Sequence, residues 1–263
     1  MKLICLNIWG GKIHDPLLKL IKEKAIDTDI FCFQENFSSD RLELLSLDTY
    51  SNIHEQICKI LSGFTAFYYP TIEYEDVRKK VDFPLSHGQV TFVKKNLNVL
   101  KSGDIFVYRE KNEMGPRYPG GLPDFPKNFI YCEIEHNERK FLVINLHGFW
   151  NPAPKTDTPE RLKQSEMIIS FVKKYNLPVV IAGDFNLEMN TKSVGLFTEK
   201  GFRNLVKESG VKTTRSSLYT IKWRYTDPFA DYIFVSDDVK LIDFKVLPDE
   251  VSDHLPLYLE FEI

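Results

Sequence analysis

The 263-residue sequence has no excess of positive charge, because 34 Lys and Arg residues face 37 Asp and Glu residues and the formal net charge is −3. Proteins that hold a long polyanion neutralise many phosphates with basic side chains and release the bound counterions. A surface that is positive throughout is therefore excluded, and any contact with nucleic acid has to be local.

Cysteine is scarce, and the four residues form no closely spaced pair: Cys5, Cys32, Cys58 and Cys132. Three of them lie within apolar runs, where a small thiol packs well. We expect free thiols in a reducing compartment. A structural zinc site is not expected, because zinc ligands usually come in close pairs.

Long hydrophobic runs are also missing. The apolar stretch at the start, MKLICLNIWGG, is too short for a signal peptide, and no window reaches the roughly 18 apolar residues of a membrane span. Internal repeats, low-complexity tracts and linkers rich in Gly, Ser or Pro are absent as well. We expect a cytoplasmic monomer with a single domain over residues 1–263.

What the sequence does contain is a series of short buried strands with few helices between them. Because the helices do not alternate regularly with the strands, a mixed α+β sandwich fits better than a doubly wound parallel fold. Asp15 and Thr158 are each followed by proline and predict two helix starts. We expect residues 112–127 to form a surface loop and His87 to lie in a plain turn.

Polar residues stand at the ends of the buried strands. Five apolar runs end at Asn7, at Glu35, at His147, at Asp184 and Asn186, and at Asp253 and His254. Unpaired carboxylates at the rim of an apolar core repel one another and lose hydration. Their convergence is explained best if a cation or an incoming phosphate organises them.

Each of these residues also has a simpler interpretation when taken alone. Glu35 offers the oxygen ligands that Mg²⁺ prefers, but strands commonly end in a solvated polar residue. Asn7 can contact a metal or a phosphate, or it can hold two loops together.

The segment Gly183-Asp-Phe-Asn is more specific. Asp184 and Asn186 are two apart on an extended segment and project to the same face. The carboxylate can take a proton from water, and the amide can hold that water or a phosphate oxygen. The same residues can instead form an Asx turn before a helix capped by Thr191.

Two further segments contain Asp and His near strands. Asp253 and His254 precede the last strand, and Asp231 opens another. A carboxylate partner raises the pKa of histidine and fixes its tautomer. An Asp-His pair also occurs by chance, and a histidine at a strand end such as His147 is more often structural than catalytic.

The joint pattern is more specific than its parts. The segments that carry it run from Asn7 to His254: LNIWGG, FQEN, INLHGFW, AGDFN, ADYIF and VSDHLPL. In this order they resemble the endonuclease/exonuclease/phosphatase superfamily, which includes deoxyribonuclease I, exonuclease III-like repair enzymes, sphingomyelinases and inositol polyphosphate 5-phosphatases. The resemblance implies an α+β fold that is a four-layered α/β/β/α sandwich of two mixed sheets flanked by helices.

The resemblance also implies a metal-dependent hydrolase of phosphate esters. Glu35 would be the principal Mg²⁺ ligand, assisted by Asn7 and Asp253, and Mn²⁺ or Ca²⁺ would be possible substitutes. A catalytically inactive member that binds a partner is the alternative from another class, but it would lack one or more site residues, and the full set is present.

The remaining site residues receive roles from the same resemblance. Asp184 would activate or orient the attacking water, and Asn186 would hold that water or the phosphate. His254 would bind the scissile phosphate with Asp231 as its partner. His147 matches a histidine of the deoxyribonuclease I and sphingomyelinase branches that the repair-enzyme branch does not use. We expect a metal and two imidazolium groups to neutralise the developing charge.

Substrate choice in this superfamily resides in loops. The candidate loops combine basic and aromatic residues and span Tyr108 to Lys127, Trp150 to Lys155 and Arg215 to Arg224. Such loops can grip a DNA or RNA backbone, or they can cover a smaller ester. The leading hypothesis is a phosphodiesterase or nuclease acting on nucleic acid. The alternative is an enzyme acting on a small phosphorylated metabolite, an inositol phosphate or a phospholipid headgroup.

Overall fold

The structure, a computed structural model, describes residues 1–219 and 227–263. The strands in these ranges are β1 (Lys2–Asn7), β2 (Ile30–Ser38), β3 (Phe64–Glu73), β4 (Ser86–Lys94), β5 (Asn98–Tyr108), β6 (Lys127–His136), β7 (Arg139–His147), β8 (Val179–Asp184), β9 (Arg203–Asn204), β10 (Asp231–Val235), β11 (Lys240–Val246) and β12 (Leu257–Glu262). The helices are α1 (His14–Lys24), α2 (Ile53–Ile60), α3 (Pro159–Val172), α4 (Lys192–Glu199) and α5 (Leu205–Ser209). None of these helices is long and apolar enough to cross a membrane.

The strands form two sheets of six strands each. The spatial order is β11-β12-β1-β2-β4-β3 in the first sheet and β5-β6-β7-β8-β10-β9 in the second. Both sheets are mixed, because β1 pairs with β2 in parallel and β7 pairs with β8 in parallel, whereas the other neighbours are antiparallel.

Alternating residues of β1 show how the layers are stacked. Leu3 and Cys5 belong to the core shared with the second sheet, and Ile4 and Leu6 pack on the other side with α1 and α2. Successive side chains of a strand point to opposite faces, so the first sheet lies between the second sheet and these two helices. Helices α3, α4 and α5 cover the second sheet. The predicted four-layered sandwich is confirmed.

The helix starts were predicted in part. Thr158 caps α3 by accepting a hydrogen bond from Arg161 N at 3.3 Å, and Thr191 caps α4. The prediction for Asp15 is wrong, because α1 begins at His14 and Ile13 occupies the cap position. Asp15 lies instead in the first turn, where its carboxylate faces the positive end of the helix dipole.

A pair of buried amides joins the two sheets. Gln34 on β2 donates from Nε2 to Asn145 Oδ1 on β7 at 2.6 Å, and Asn145 Nδ2 donates to Val90 O on β4 at 3.0 Å. Both side chains are fully buried. Each sheet therefore contributes a hydrogen-bonding group to the apolar layer between them.

The four cysteines are free, as predicted. Cys5, Cys32 and Cys132 are buried, and burial raises the pKa of each thiol. These thiols pack as small apolar groups in the core.

Candidate active site

The predicted site residues meet at one edge of both sheets. His147 ends β7, Asp184 ends β8 and Asp231 begins β10. The register pairs Asp184 with His147 on one side and with Asp231 on the other, so three neighbouring strands of the second sheet present these residues at the same level. Asn7 ends β1 in the first sheet. The site therefore straddles the two sheets.

Glu35 occupies a β-bulge. The expectation that the strand ends at this residue is wrong, because β2 continues to Ser38. The pairing of β2 with β4 shifts register between Phe33 and Asn36, and Glu35 has a φ of 59°. A bulge re-aims the side chain that it carries. The carboxylate of Glu35 consequently lines the cleft at the edge of the sheets.

Asn7 connects Glu35 to Asp184. Its Nδ2 donates to Glu35 Oε1 at 3.1 Å and to Asp184 Oδ2 at 3.1 Å, and its Oδ1 accepts a hydrogen bond from Trp9 N at 3.0 Å. One amide therefore holds two carboxylates that are 149 positions apart in the sequence.

His254 is held between carboxylates. Its Nδ1 lies 2.8 Å and 2.9 Å from the two oxygens of Asp231, and its Nε2 lies 3.6 Å from Asp184 Oδ2. Burial and Arg215 act to lower the pKa of His254, but Asp231, Asp253 and Asp184 outweigh them and raise it above its ordinary value. His254 therefore holds its proton more tightly than a free imidazole does.

His147 behaves differently. Its Nε2 lies 3.0 Å from Lys127 Nζ, 3.7 Å from Glu35 Oε1 and 4.0 Å from Asp184 Oδ2. Burial, reinforced by the charge of Lys127, holds the pKa of His147 well below its ordinary value. The expectation of two imidazolium groups is therefore wrong for His147. Lys127 is the basic group beside it, and burial lowers the pKa of Lys127 as well.

Asp184 and Asn186 form the Asx turn that was the simpler interpretation of this segment. Asn186 N donates to Asp184 Oδ1 at 2.9 Å. Asn186 Oδ1 accepts a hydrogen bond from Lys155 Nζ, and its Nδ2 donates to Gly148 O at 3.2 Å. Burial alone would raise the pKa of the Asp184 carboxyl, but its cationic neighbours, with His254 first among them, hold it below the ordinary value.

Three buried cations belong to the site and were not singled out from the sequence. Lys127, Lys155 and Arg215 are 8%, 3% and 7% exposed. Charged side chains are rarely buried to this extent unless they are paired. Each residue ends or begins one of the three loops assigned to substrate choice, and this was their only signal in the sequence.

Arg215 and His254 face each other. Arg215 Nη1 contacts His254 Nε2, and it also lies 3.5 Å from Asp253 Oδ2. A guanidinium has donors only, and a protonated imidazole donates from both nitrogens. The two nitrogens are in direct contact, so a phosphate oxygen would bind beside this pair rather than between the two groups.

A comparison with protein families identifies the chain. The model of the family described as "Endonuclease/Exonuclease/phosphatase family" matches residues 4–254. The chain belongs to this family. Members of the endonuclease/exonuclease/phosphatase family hydrolyse phosphate esters and generally use a divalent metal.

Solved structures share the fold at low sequence identity. An endonuclease/exonuclease/phosphatase from Bacteroides vulgatus is 17% identical, with 100% of this chain and 98% of that chain covered and a TM-score of 0.71. A mannosyl-6-phosphatase from Bacteroides thetaiotaomicron is 16% identical, with 100% of both chains covered and a TM-score of 0.67. The human nocturnin catalytic domain with bound sulfate is 18% identical, with 100% and 93% covered and a TM-score of 0.64. No curated protein matches the sequence.

The residues present fit the divalent metal of the family. Burial raises the pKa of the Glu35 carboxyl, and the charge of Asp253 acts in the same direction. A cation between these carboxylates would relieve their repulsion, and carboxylate oxygens are ligands that hard cations prefer. Oδ1 of Asn7 has a second lone pair beside the one that accepts from Trp9 N.

A second group of potential ligands differs from the predicted set. The ligand atoms of Asp184, Asp231 and His254 lie within 4.8 Å of one another. Both oxygens of Asp231 already bind His254 Nδ1, and Asp184 already accepts hydrogen bonds from Asn7 and Asn186. This group is held by its own hydrogen bonds.

Six apolar side chains line the cleft above the site, and we call them the apolar wall: Phe37, Leu47, Val77, Leu122, Pro123 and Phe125. The cleft has a volume of about 190 Å³. The expectation that residues 112–127 form a surface loop is wrong for its last part, because the residues from Asp124 onward are buried. His87 also lines the cleft, and it lies in β4 rather than in the expected turn.

The three loops assigned to substrate choice contribute unequally. The first loop lines the cleft with Leu122, Pro123, Phe125 and Lys127, the second with Trp150, and the third with Arg215 and Tyr219. The part of the third loop from Thr220 to Arg224 lies outside the described residues.

Proposed function

We propose that the chain hydrolyses phosphate esters with the help of a divalent cation, by in-line attack of water on phosphorus. One observation carries this proposal: side chains from the ends of β1 and β7 and from the segment before β12 converge within hydrogen-bonding and ion-pair distance around Asp184 Oδ2 at the end of β8. Asn7, His147 and His254 contact this atom at 3.1 Å, 4.0 Å and 3.6 Å, and Asn7 links it to Glu35.

Glu35, Asp253 and Asn7 would hold the cation. When bound, the cation supplies positive charge against the nonbridging oxygens of the phosphate. The low pKa of Asp184 keeps its carboxylate ionised, so Asp184 accepts a hydrogen bond from the attacking water and orients it. A carboxylate with so low a pKa is a weak general base, which favours orientation over proton removal.

The opposite side of the phosphate would be held by donors. His254 is fixed by Asp231 and directs Nε2 toward Asp184 and the cleft, with Arg215 beside it. Lys127 adds a cation next to His147. Donors that are already in place stabilise charge as it develops on the phosphoryl oxygens, without reorganisation during the reaction.

We propose a small phosphate ester as the substrate, which is the second of the two classes considered from the sequence. The cleft of about 190 Å³ is lined in part by the residues of the apolar wall. The net charge of −3 gives no general attraction for a polyanion. A neighbour of the same architecture is described as a mannosyl-6-phosphatase, so this architecture occurs in a phosphatase.

The test is a panel assay with purified protein in Mg²⁺ or Mn²⁺, and with a chelator control. The panel contains plasmid DNA, short oligonucleotides, inositol phosphates, sphingomyelin and simple alkyl phosphates. We expect chelator-sensitive hydrolysis of small esters. Cleavage of nucleic acid without turnover of small esters would refute the proposed substrate class, and no hydrolysis at all would refute the reaction.

Two substitutions test the assignment of the site. Asp184→Ala and His254→Ala should each abolish turnover and leave the fold intact. Matched controls are Asp40→Ala and His136→Ala, which change the same residue types outside the cleft. Parental rates in either site variant, at an unchanged circular dichroism spectrum, would contradict the assignment.

A further inference from the structure

We propose that the apolar wall binds the alcohol portion of the substrate and that this portion is a compact apolar group of about the size of one ring. This inference rests on the proposed function, because it names the kind of ester that the same site hydrolyses. It predicts discrimination against esters of polyhydroxylated alcohols, which include sugar phosphates and glycerol phosphates.

The apolar wall adjoins the groups that would hold the phosphate. The ring of His87 lies 4.7 Å from the ring of Phe37 and 5.4 Å from the ring of Phe125, measured between centroids. The charge of Lys127 also acts on His87. Burial, followed by Lys127, lowers the pKa of His87 to about 3. The ring is therefore neutral, and it extends the wall to the edge of the phosphate site.

Leu47 is held in the wall by a strained backbone. Its φ is 65°, and Asp48 beside it has a φ of 61°. Residues other than glycine adopt this left-handed conformation at a cost, and leucine has no side-chain hydrogen bond to offset it. Such strain is concentrated at functional sites, where the surrounding structure maintains it. The conformation places an apolar side chain on the cleft.

The loops that carry the wall are tied to one another. Ser46 N, next to Leu47, donates to Asp76 Oδ2 at 2.9 Å, next to Val77. Arg117 Nη1 then donates to Val77 O at 2.9 Å and to Gly121 O at 3.0 Å, next to Leu122. Three separate loops are thus connected by hydrogen bonds from polar atoms, while their apolar side chains line the cleft. The wall is formed before any ligand binds.

The size of the cleft limits the alcohol. A phosphate group takes part of the 190 Å³ that the described residues enclose, and a cavity of roughly 150 Å³ with apolar walls is known to hold one benzene ring, so the remainder admits at most one ring. Hydroxyl groups placed against the wall would lose water and find few partners there. Each unmatched hydroxyl would lower affinity by about tenfold or more. A ring without hydroxyl groups has no hydrogen bonds to water to give up, so its affinity is not lowered in this way.

The first experiment compares benzyl phosphate with glycerol 3-phosphate in Mg²⁺. Both are monoesters of primary alcohols, so the leaving groups are similar and the comparison reports on binding of the alcohol. We expect kcat/KM to be at least tenfold higher for benzyl phosphate. Equal values, or a preference for glycerol 3-phosphate, would overturn the proposal.

A variant then tests the wall itself. Asparagine is close to leucine in size and tolerates a left-handed backbone, so Leu47→Asn changes the polarity of the wall at little cost to the fold. We expect the ratio of the two kcat/KM values to fall by at least threefold. Leu42→Asn is the matched control, because Leu42 is 67% exposed and lies outside the cleft. An unchanged ratio in the Leu47 variant would overturn the proposal.

A binding measurement separates this inference from the proposed reaction. Benzylphosphonate and 2,3-dihydroxypropylphosphonate are not hydrolysed, so calorimetric titration measures their affinities in the unmodified protein without turnover. Tighter binding of benzylphosphonate by at least tenfold supports the inference even if no ester is hydrolysed. Equal affinities overturn it even if esters are hydrolysed.

Discussion

Replacing Lys155 with methionine should stabilise the protein while reducing its activity. Lys155 is 3% exposed, and its Nζ donates to Asn186 Oδ1. Burial, followed by repulsion from Arg215, lowers the pKa of Lys155 from 10.5 to about 7. The fall of the pKa means that the folded state binds this proton less tightly than the unfolded state does.

The free energy follows from that difference. At 1.36 kcal/mol per pKa unit, the fall corresponds to about 5 kcal/mol of destabilisation at or below pH 7. Methionine has a similar length and no charge, but it loses the bond to Asn186, which contributes about 2 kcal/mol. We expect a net gain of about 2–3 kcal/mol in the free energy of unfolding at pH 7. The melting temperature should rise by about 5–10 °C.

The gain should depend on pH with a definite sign. Between the folded pKa of about 7 and the unfolded value of 10.5, the unfolded state binds more protons, so the stability of the parent protein rises with pH. The variant lacks this group. The difference between the two proteins should therefore be largest at or below pH 7 and should shrink steadily as the pH rises towards 10.

The assay is urea unfolding at several pH values from 7 to 10, with turnover of a small phosphate ester measured on the same samples. We expect at least a tenfold loss of turnover, because Lys155 holds Asn186 in position by a hydrogen bond. Lys163→Met is the control on an exposed lysine of α3, and it should change stability by less than about 0.5 kcal/mol. A less stable Lys155 variant at pH 7, or a difference that does not shrink with pH, would refute the reasoning.

Three further predictions concern the metal, the histidine and the backbone. Glu35→Gln should weaken Mg²⁺ or Mn²⁺ binding by at least tenfold in calorimetric titration, and unchanged affinity would exclude Glu35 as a ligand. Asp231→Asn should lower kcat by about 100-fold or more in the ester assay with little change in fold, because His254 loses its charged partner; near-parental kcat would contradict this. Gly183→Ala should destabilise the protein by about 3 kcal/mol or more in urea unfolding, because a Cβ there would lie 2.2 Å from the backbone oxygen of Leu146. Gly195→Ala, in α4 with open space around it, should be neutral or stabilising and serves as the control.

The sequence predicted which site residues end strands, because a buried strand is a short apolar run and its end is marked by a polar residue. His147 and Asp184 end such runs, and the structure places them in neighbouring positions of a parallel pair. The sequence did not predict which of these strands are neighbours in a sheet. Which strand lies beside which depends on contacts between distant segments, and only the resemblance to a family supplied the four-layered arrangement.

The cations of the site were missed for a physical reason. A single Lys or Arg in a loop is normally solvated, and the sequence around Lys127 or Lys155 does not distinguish a buried ammonium from an exposed one. Lys127 begins β6, and the antiparallel register of β6 with β7 brings this end of the strand beside His147. Without that register, nothing connects the two residues.

The bulge at Glu35 was hidden for a related reason. Alternation along β2 is compatible with an unbroken strand, and one extra residue in one strand is visible only against its partner. The sequence predicted a strand end at Glu35, whereas β2 includes Gln34 and Glu35 in a bulge and continues to Ser38.

The buried amide contact between Gln34 and Asn145 has a mechanical consequence. Apolar contact is non-directional, so it does not by itself fix how one sheet is aligned on the other. The 2.6 Å hydrogen bond between the two side-chain amides is directional and requires one alignment. Glu35 and Asn7 belong to the first sheet, and His147 and Asp184 belong to the second. Gln34 is one residue before Glu35 and Asn145 is two residues before His147, so this hydrogen bond fixes the position of one half of the site relative to the other.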